Sequence, residues 1–110
     1  MAVVSIGVHV REYSGQVVAR LNDPEDTNGL CAVAAADPDR YPYLDGVDEY
    51  GDTYFNSRQS VRLAQELEAL ARDDSEAGLQ QTAQAVLRLV GMLQPVPGRP
   101  HHRQLVFSGD

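Results

Sequence analysis

The sequence predicts a single α+β domain over residues 1–110, in which a three- or four-stranded, mostly antiparallel sheet packs against an antiparallel pair of helices. Two observations support this prediction. Apolar residues alternate with polar ones at both ends of the chain, which is typical of strands with one buried face. Between residues 56 and 93 the apolar residues instead recur with a helical period. A length of 110 residues fits one domain.

The N-terminal segment predicts a β-hairpin. Its first strand alternates four apolar residues with polar or small ones: Val4, Ile6, Val8 and Val10. The sequence Tyr13-Ser14-Gly15-Gln16 is typical of a turn, and an extended pattern resumes over residues 17–21. The hairpin supplies the first two strands of the sheet.

Residues 22–55 carry weaker signals. Residues 22–29 (NDPEDTNG) combine turn formers with acids and predict a loop. Residues 30–36 (LCAVAAA) are apolar and fit either a short buried strand or a short helix, and we favour a third strand. Residues 37–55 contain Pro42, Gly46 and Gly51, so they predict an ordered loop.

Residues 56–93 predict a helical hairpin. Asn56 fits an N-cap, Gln59 would complete a capping box, and Phe55 could pack on the first turns. The first helix extends to about Arg72, with Arg62 and Glu66 spaced as a surface ion pair. The second helix extends to about residue 93. Because the break between the two helices is short, we expect them to lie antiparallel.

The C-terminal segment predicts one more strand. Residues 94–102 contain three prolines and cannot form a helix. Residues 103–108 then alternate, with Leu105 and Phe107 on one face. We expect this strand to return to the sheet that the hairpin begins.

The negative charge of the chain is concentrated in one segment. The formal charge is −7, yet residues 22–56 contain nine acids and a single base, Arg40. Such a segment repels phosphate and attracts cationic partners. The sequence therefore argues against direct binding of nucleic acid. No apolar run approaches the length that spans a bilayer, so we expect no membrane association and a cytoplasmic location.

Tyrosines lie within this acidic segment. Residues 41–59 contain four of the five tyrosines, together with three aspartates and one glutamate. Exposed tyrosines supply anchoring area at interfaces, and carboxylates speed encounter with a basic surface. We expect the partner-binding residues to be Tyr43, Asp45, Asp48, Glu49, Tyr50, Asp52 and Tyr54.

The sequence Tyr50-Gly51-Asp52-Thr53 is the centre of this segment. Gly51 would permit a positive φ in a tight turn. Asp52 either organises that turn through hydrogen bonds to backbone amides or presents its carboxylate to a ligand beside Tyr50 and Tyr54. The first role is the commoner one for an aspartate in such a position.

Other chemistry-bearing residues form no complete set. An EF-hand match over 24–35 fails because Pro24 takes the first ligand position and Ala35 the last. His101 and His102 lack a third ligand in register. Cys31 lies among apolar residues and is predicted to be a buried, unreactive thiol. The sequence thus predicts no metal, no cofactor and no catalytic residue.

The segment from Leu44 to Asn56 (LDGVDEYGDTYFN) and the ending Leu105 to Asp110 (LVFSGD) resemble small actinobacterial proteins of uncharacterised function. Those proteins share a D-x-Y-G-D-T-x-F-N core followed by a helix, and an L-x-F-x-G-D terminus. The likeness covers about residues 44–70 and 103–110. It implies a common fold and a common feature at the YGDT turn, and it implies no activity.

Two classes of function fit these patterns. The leading hypothesis is a non-catalytic module that docks a basic protein partner, for example an immunity- or antitoxin-like inhibitor of a cationic enzyme. The alternative is a small enzyme or ligand-binding protein with a site around Tyr50, Asp52 and His9. A third hypothesis is a homodimer formed through an edge strand that contains Val106, or through the helical hairpin.

Overall fold

A four-stranded antiparallel sheet and four helices make up the computed structural model, which describes residues 6–21, 27–73, 77–98 and 102–109. The predicted α+β class is therefore confirmed. The strands and helices, in chain order, are β1 Gly7–Arg11, β2 Val17–Arg20, α1 Thr27–Ala36, α2 Pro42–Asp45, β3 Asp52–Phe55, α3 Ser57–Asp73, α4 Ala77–Gly91 and β4 Gln104–Ser108.

The strand order is β2-β1-β4-β3. The N-terminal hairpin forms as predicted, with a register shift between Val10 and Arg11. The C-terminal strand returns to the sheet, and it lies between β1 and β3. Val106 is thus in a central strand, which corrects the hypothesis of pairing through β4 as an edge. The two edges of the described sheet are β2 and β3.

The core lies between one face of the sheet and the helices. Val8 and Val10 of β1 share this face with Leu105 and Phe107 of β4, and all four are buried. They belong to one apolar cluster with leucines of α3 and α4. Complete burial of such a side chain contributes about 1.5–3 kcal/mol relative to exposure. The two sequence periods therefore specify one shared core.

Residues 30–36 are helical, which corrects the prediction of a third strand there. They form most of α1, and the predicted loop ends within its first turn. The residues buried in α1 follow a helical spacing: Thr27, Leu30, Cys31 and Ala34. Four of the seven residues from 30 to 36 are alanine, the residue with the highest helix propensity. Residues 22–26 of the predicted loop lie outside the described residues.

Residues 37–55 contain two elements that the prediction of a loop missed. Pro42 is the first residue of α2, where its missing N–H costs nothing. Strand β3 pairs with β4 from Asp52 opposite Ser108 to Phe55 opposite Leu105. Only Phe55 of this strand is buried, so its sequence lacks the alternation that would predict a strand. Pairing with β4 supplies the stabilisation instead.

The helical hairpin has the predicted limits to within two residues. The capping box is present: the Gln59 N–H donates to Asn56 Oδ1 at 2.8 Å, and the Asn56 N–H donates to Gln59 Oε1 at 2.9 Å. Helix α4 ends at Gly91 rather than near residue 93, although Leu93 is still buried. No helix in the described part of the chain combines the length and the apolar character needed to cross a membrane.

Glu66 of α3 differs most from its predicted role as a surface residue. It is only 3% exposed, and its nearest oxygen lies 3.8 Å from Arg62 Nε. Its carboxylate accepts the Tyr43 N–H at 3.0 and 3.1 Å and the Leu44 N–H at 3.0 Å. These amides belong to the first turn of α2, where helical N–H groups lack backbone partners. Glu66 therefore fastens α2 to α3.

Replacement of Glu66 by alanine should lower the free energy of unfolding by about 3 kcal/mol, because buried amides of α2 would lose a charged acceptor. Glu66→Gln keeps one acceptor oxygen and should cost about 1 kcal/mol. Glu68→Ala, at an exposed position of the same helix, is the matched control and should change stability by less than about 0.5 kcal/mol. Urea denaturation measures all three. Equal losses for the alanine variants at 66 and 68 would contradict the anchoring role.

Candidate functional site

The turn from residue 46 to residue 52 is fixed by three hydrogen bonds. Asp48 Oδ1 accepts the Tyr50 N–H at 2.8 Å. Thr53 Oγ1 accepts the Asp48 N–H at 2.9 Å. The Gly109 N–H donates to the Gly51 carbonyl at 2.8 Å. The carboxylate that organises the turn is thus Asp48, whereas the sequence suggested Asp52.

Glycine at position 51 has a role other than the predicted one. The described glycines with positive φ are Gly15 and Gly98, so the expected positive φ at Gly51 is wrong. A Cβ at position 51 would lie 2.9 Å from Asp48 Oδ2. The absence of a side chain therefore lets the Asp48 carboxylate fold back over the turn and reach the Tyr50 amide.

Gly109 lies flat against the same turn. A Cβ at this position would overlap the carbonyl oxygen of Glu49 and lie 2.7 Å from that of Asp48. Such distances leave no room for any side chain. The turn before β3 and the end of β4 thus form one unit. These are the two segments on which the sequence resemblance depends, and the structure brings them into direct contact.

The predicted partner-binding residues divide into an exposed group and an anchored group. The exposed group contains Tyr50, which is 73% exposed, and the four carboxylates. The acidic turn, as we name it, consists of these five residues: Asp45, Asp48, Glu49, Tyr50 and Asp52. Tyr54 is 42% exposed, and its hydroxyl lies 3.4 Å from Asp52 Oδ2. It borders the acidic turn on the sheet.

Tyr43 and Tyr41 point inward, so Tyr43, one of the predicted partner-binding residues, is not an outward anchor. Tyr43 is half-buried, and its ring stacks on Phe55 with centroids 6.0 Å apart. Tyr41 is 4% exposed and belongs to the core. Tyr41 directly precedes α2 and Tyr43 lies within it, and both side chains pack this helix against the core. They therefore support the acidic turn from behind.

The acidic turn keeps its negative charge because the nearest base of its segment is occupied. Arg40 forms an ion pair with Asp73 of α3, and its guanidinium lies 5.5 Å from the Tyr41 ring centroid. Among the residues that the structure describes, no ion pair involves an acid of the turn. The turn therefore presents four carboxylates that no neighbouring cation neutralises.

The face of the sheet opposite the core carries cationic groups. One row of residues crosses all four strands on this face: Arg20, His9, Val106 and Tyr54. The Arg11 guanidinium lies 5.4 Å from the Tyr54 ring centroid. The pKa of His9 is lowered by partial burial and then by Arg20 and Arg11, against a smaller opposing effect of Asp52.

The alternative site of His9, Tyr50 and Asp52 is not assembled as one constellation. His9 pairs with Val106, while Asp52 pairs with Ser108. Strand β4 thus separates them, and their Cα atoms are roughly 12 Å apart by sheet geometry. At this separation the imidazole and the carboxylate do not share a hydrogen bond. Their positions do not form an acid–base pair.

Cys31 is a buried thiol without a reactive setting. Burial of Cys31, followed by the nearby charge of Glu49, raises the pKa of its thiol to about 11. The thiol is therefore protonated at neutral pH, as expected for a buried structural cysteine. Within residues 6–21, 27–73, 77–98 and 102–109, no group of three histidine, cysteine or acidic side chains could hold a metal ion.

Sequence reasoning missed a second charged feature, a cleft of about 470 Å³ near the far end of β1 and β4. It is lined by Arg11, Glu12, Tyr13, Asn56, Ser57, Arg58, His102, Arg103 and Gln104. The three arginines come from β1, from the first turn of α3 and from the residue before β4. Because the fold alone brings them together, no local sequence pattern predicts this cleft.

Comparisons of the chain with protein-family models, with curated proteins and with solved structures find no match.

Gly109→Ala should push the acidic turn away from β4 and break the hydrogen bond to Gly51, since the added Cβ meets rigid backbone. We expect a loss of about 1–3 kcal/mol in unfolding free energy, as for overpacked sites. Amide chemical shifts of residues 48–53 should change in the ¹H–¹⁵N spectrum. Gly7→Ala is the matched control, because a Cβ there meets nothing within 4 Å. Unchanged shifts at residues 48–53 in Gly109→Ala would refute the proposed contact.

Proposed function

We propose that the protein is a non-catalytic binding module that docks a basic protein surface through the acidic turn. The observation that carries this proposal is a hydrogen-bonded turn that presents four exposed carboxylates, none of them in an ion pair with another described residue, around one outward tyrosine. Tyr54 borders the contact, and Tyr43 supports it from the interior. An immunity- or antitoxin-like inhibitor of a cationic enzyme is one form of such a module. A cytoplasmic location remains the prediction from the sequence.

Rigidity of the turn favours binding. A side chain or loop that is ordered only on binding costs about 0.5–1.5 kcal/mol for each immobilised side chain. Here Asp48, Thr53 and Gly109 already fix the backbone that carries Tyr50. Much of this ordering cost therefore falls on folding rather than on binding. These hydrogen bonds hold the backbone of the turn so that the Tyr50 side chain stays exposed.

The chemistry of the turn specifies the partner's surface. Tyr50 can bury its ring in a shallow apolar pocket while its hydroxyl remains hydrated. Four carboxylates around it would attract arginine and lysine side chains and accelerate association at low salt. The same charges disfavour nucleic acid as a partner at this surface. A basic protein with an exposed apolar spot fits both features.

The hypothesis of an enzyme or ligand site at Tyr50, Asp52 and His9 is a weaker proposal. Its three side chains occupy a turn and two strands separated by β4. The Asp52 carboxylate is exposed to solvent. The docking proposal uses Tyr50 and Asp52 in the positions that they occupy on the acidic turn.

The test is quantitative affinity capture from native lysate with variants that leave the turn intact. Tyr50→Ala and Asp52→Asn remove groups that make no backbone hydrogen bond in the turn, so both variants should fold. Their matched controls are Tyr13→Ala, a tyrosine that is 83% exposed near the arginine-lined cleft, and Glu68→Gln, an exposed acid of α3. We expect a basic protein that the wild type and both controls retain, and that both turn variants lose at least tenfold.

Salt dependence provides the second readout with the purified partner. The association rate should fall steeply between low and high ionic strength in the wild type, and less steeply in Asp52→Asn. Retention that is equal for turn variants and controls would contradict docking through the acidic turn. So would association that is independent of salt.

A further inference from the structure

The arginine-lined cleft is a second charged site, separate from the acidic turn. It lies beside Arg11 and Gln104, at the end of β1 and β4 away from Gly7 and Ser108, whereas Asp52 pairs with Ser108. Five paired positions of β1 and β4 span the distance between the two ends, which is roughly 13 Å along the strands. The cleft therefore requires its own explanation.

Two of the three arginines are held in place by the fold. Arg103 Nη1 donates to the Met92 carbonyl at 3.1 Å, and the Arg103 side chain is largely buried. The Arg11 guanidinium lies over the Tyr54 ring. The Nε atoms of both arginines are buried, and neither has a hydrogen-bond partner in the structure. Charged groups held in this way are partly removed from water before any ligand arrives.

Positive charge in the cleft exceeds the negative charge. Arg11, Arg58 and Arg103 line it, and Glu12 is the only acid among the lining residues. Glu12 Oε2 lies 3.6 Å from Arg103 Nε, so this carboxylate forms an ion pair with Arg103. Among the described residues, Arg11 and Arg58 have no carboxylate partner. In a chain of net charge −7 this is a local excess of two cations.

The start of α3 adds to the same field. Asn56, Ser57 and Arg58 line the cleft, and α3 is 17 residues long. The N-terminal end of a helix carries a partial positive charge and unpaired N–H groups that favour anions. The capping box satisfies the Gln59 amide, and the Ser57 and Arg58 amides precede it. The positive end of α3 therefore lies at the cleft that the three arginines line.

We propose that this cleft binds the phosphate group of a small molecule. Guanidinium groups form paired hydrogen bonds with phosphate oxygens, and Arg11 and Arg58, which have no carboxylate partner among the described residues, together with a helix N-terminus suit a dianionic tetrahedral group. A cleft of about 470 Å³ is within the range of small-molecule sites. The proposal does not depend on the docking function of the acidic turn.

The rest of the surface restricts the ligand to a small one. A nucleic-acid strand needs a basic stripe along which successive phosphates bind. Here the cations occupy one cleft of a strongly acidic chain. Tyr13 and His102 form a tilted ring pair at the cleft, with centroids 5.6 Å apart. Such a pair could stack on a planar group that carries the phosphate.

Isothermal titration calorimetry and ¹H–¹⁵N spectra of the full chain test the proposal, with inorganic phosphate, AMP and adenosine as probes at constant ionic strength. Phosphate and AMP should bind and shift the amides of residues 56–58, and adenosine should not. Arg58→Gln and Arg11→Gln should each weaken phosphate binding about tenfold, as expected for loss of one charge-assisted contact. Arg88→Gln, at an exposed position of α4, is the matched control and should bind like the wild type.

The AMP arm distinguishes the source of the phosphate. Binding of AMP that is tighter than that of phosphate, and that falls to the phosphate level in Tyr13→Ala, identifies an organic phosphate with a planar group. Equal binding of the two probes identifies free phosphate or a non-planar carrier. Absence of phosphate binding in the millimolar range, or an equal loss in Arg58→Gln and Arg88→Gln, would overturn the proposal. Dimerisation that fills the cleft with the acidic turn of a second copy, seen by light scattering, would overturn it as well.

Discussion

A buried carboxylate on α3 determines where the acidic turn lies. Glu66 accepts the first free amides of α2, a helix too short to be stable in water on its own. Tyr41, directly before that helix, is buried in the core, and Tyr43, within the helix, stacks on Phe55. The backbone of the turn then closes against Gly109. Each exposed acid owes its position to this sequence of contacts.

The fold separates two kinds of charge along the strands of one sheet. Strand β3 begins at the acidic turn and ends at Phe55, one residue before the N-cap of α3, so the acids and the arginine-lined cleft lie at opposite ends of a four-residue strand. Between them, the open face of the sheet carries His9, whose pKa is lowered. The overall charge of −7 conceals this division. An acidic protein can therefore present a basic cleft.

Strong periodic patterns predicted the core, and long-range pairing produced most of what they missed. The alternation around Val8 and Leu105, the helical period of residues 56–93 and the Asn56 capping box were sufficient to predict the β-hairpin, the helical hairpin of α3 and α4, and the last strand. Strand β3 was not predicted because only its Phe55 is buried and because its partner strand is about fifty residues away along the chain. The helix at residues 27–36 was not predicted because a short apolar run does not distinguish helix from strand. Its alanines were the available signal.

The candidate sites were predictable to different degrees. Exposed acids around Tyr50 follow from composition, and the structure places them on one turn. The inward direction of Tyr41 and Tyr43 does not follow from composition, because Tyr41 is buried by the folded core and Tyr43 stacks on Phe55 of β3. The arginine-lined cleft gave no local signal at all, since Arg11, Arg58 and Arg103 meet only after folding.

Amide hydrogen exchange at Tyr43 and Leu44 tests the central claim most directly, because Glu66 is the acceptor for both N–H groups. In the wild type both amides should exchange slowly. Glu66→Ala should accelerate them by about a hundredfold, while the amides of Val8 and Leu105 keep their protection. Exchange of Tyr43 and Leu44 at the rate of an unstructured peptide in the wild type, or unchanged protection in Glu66→Ala, would contradict the account.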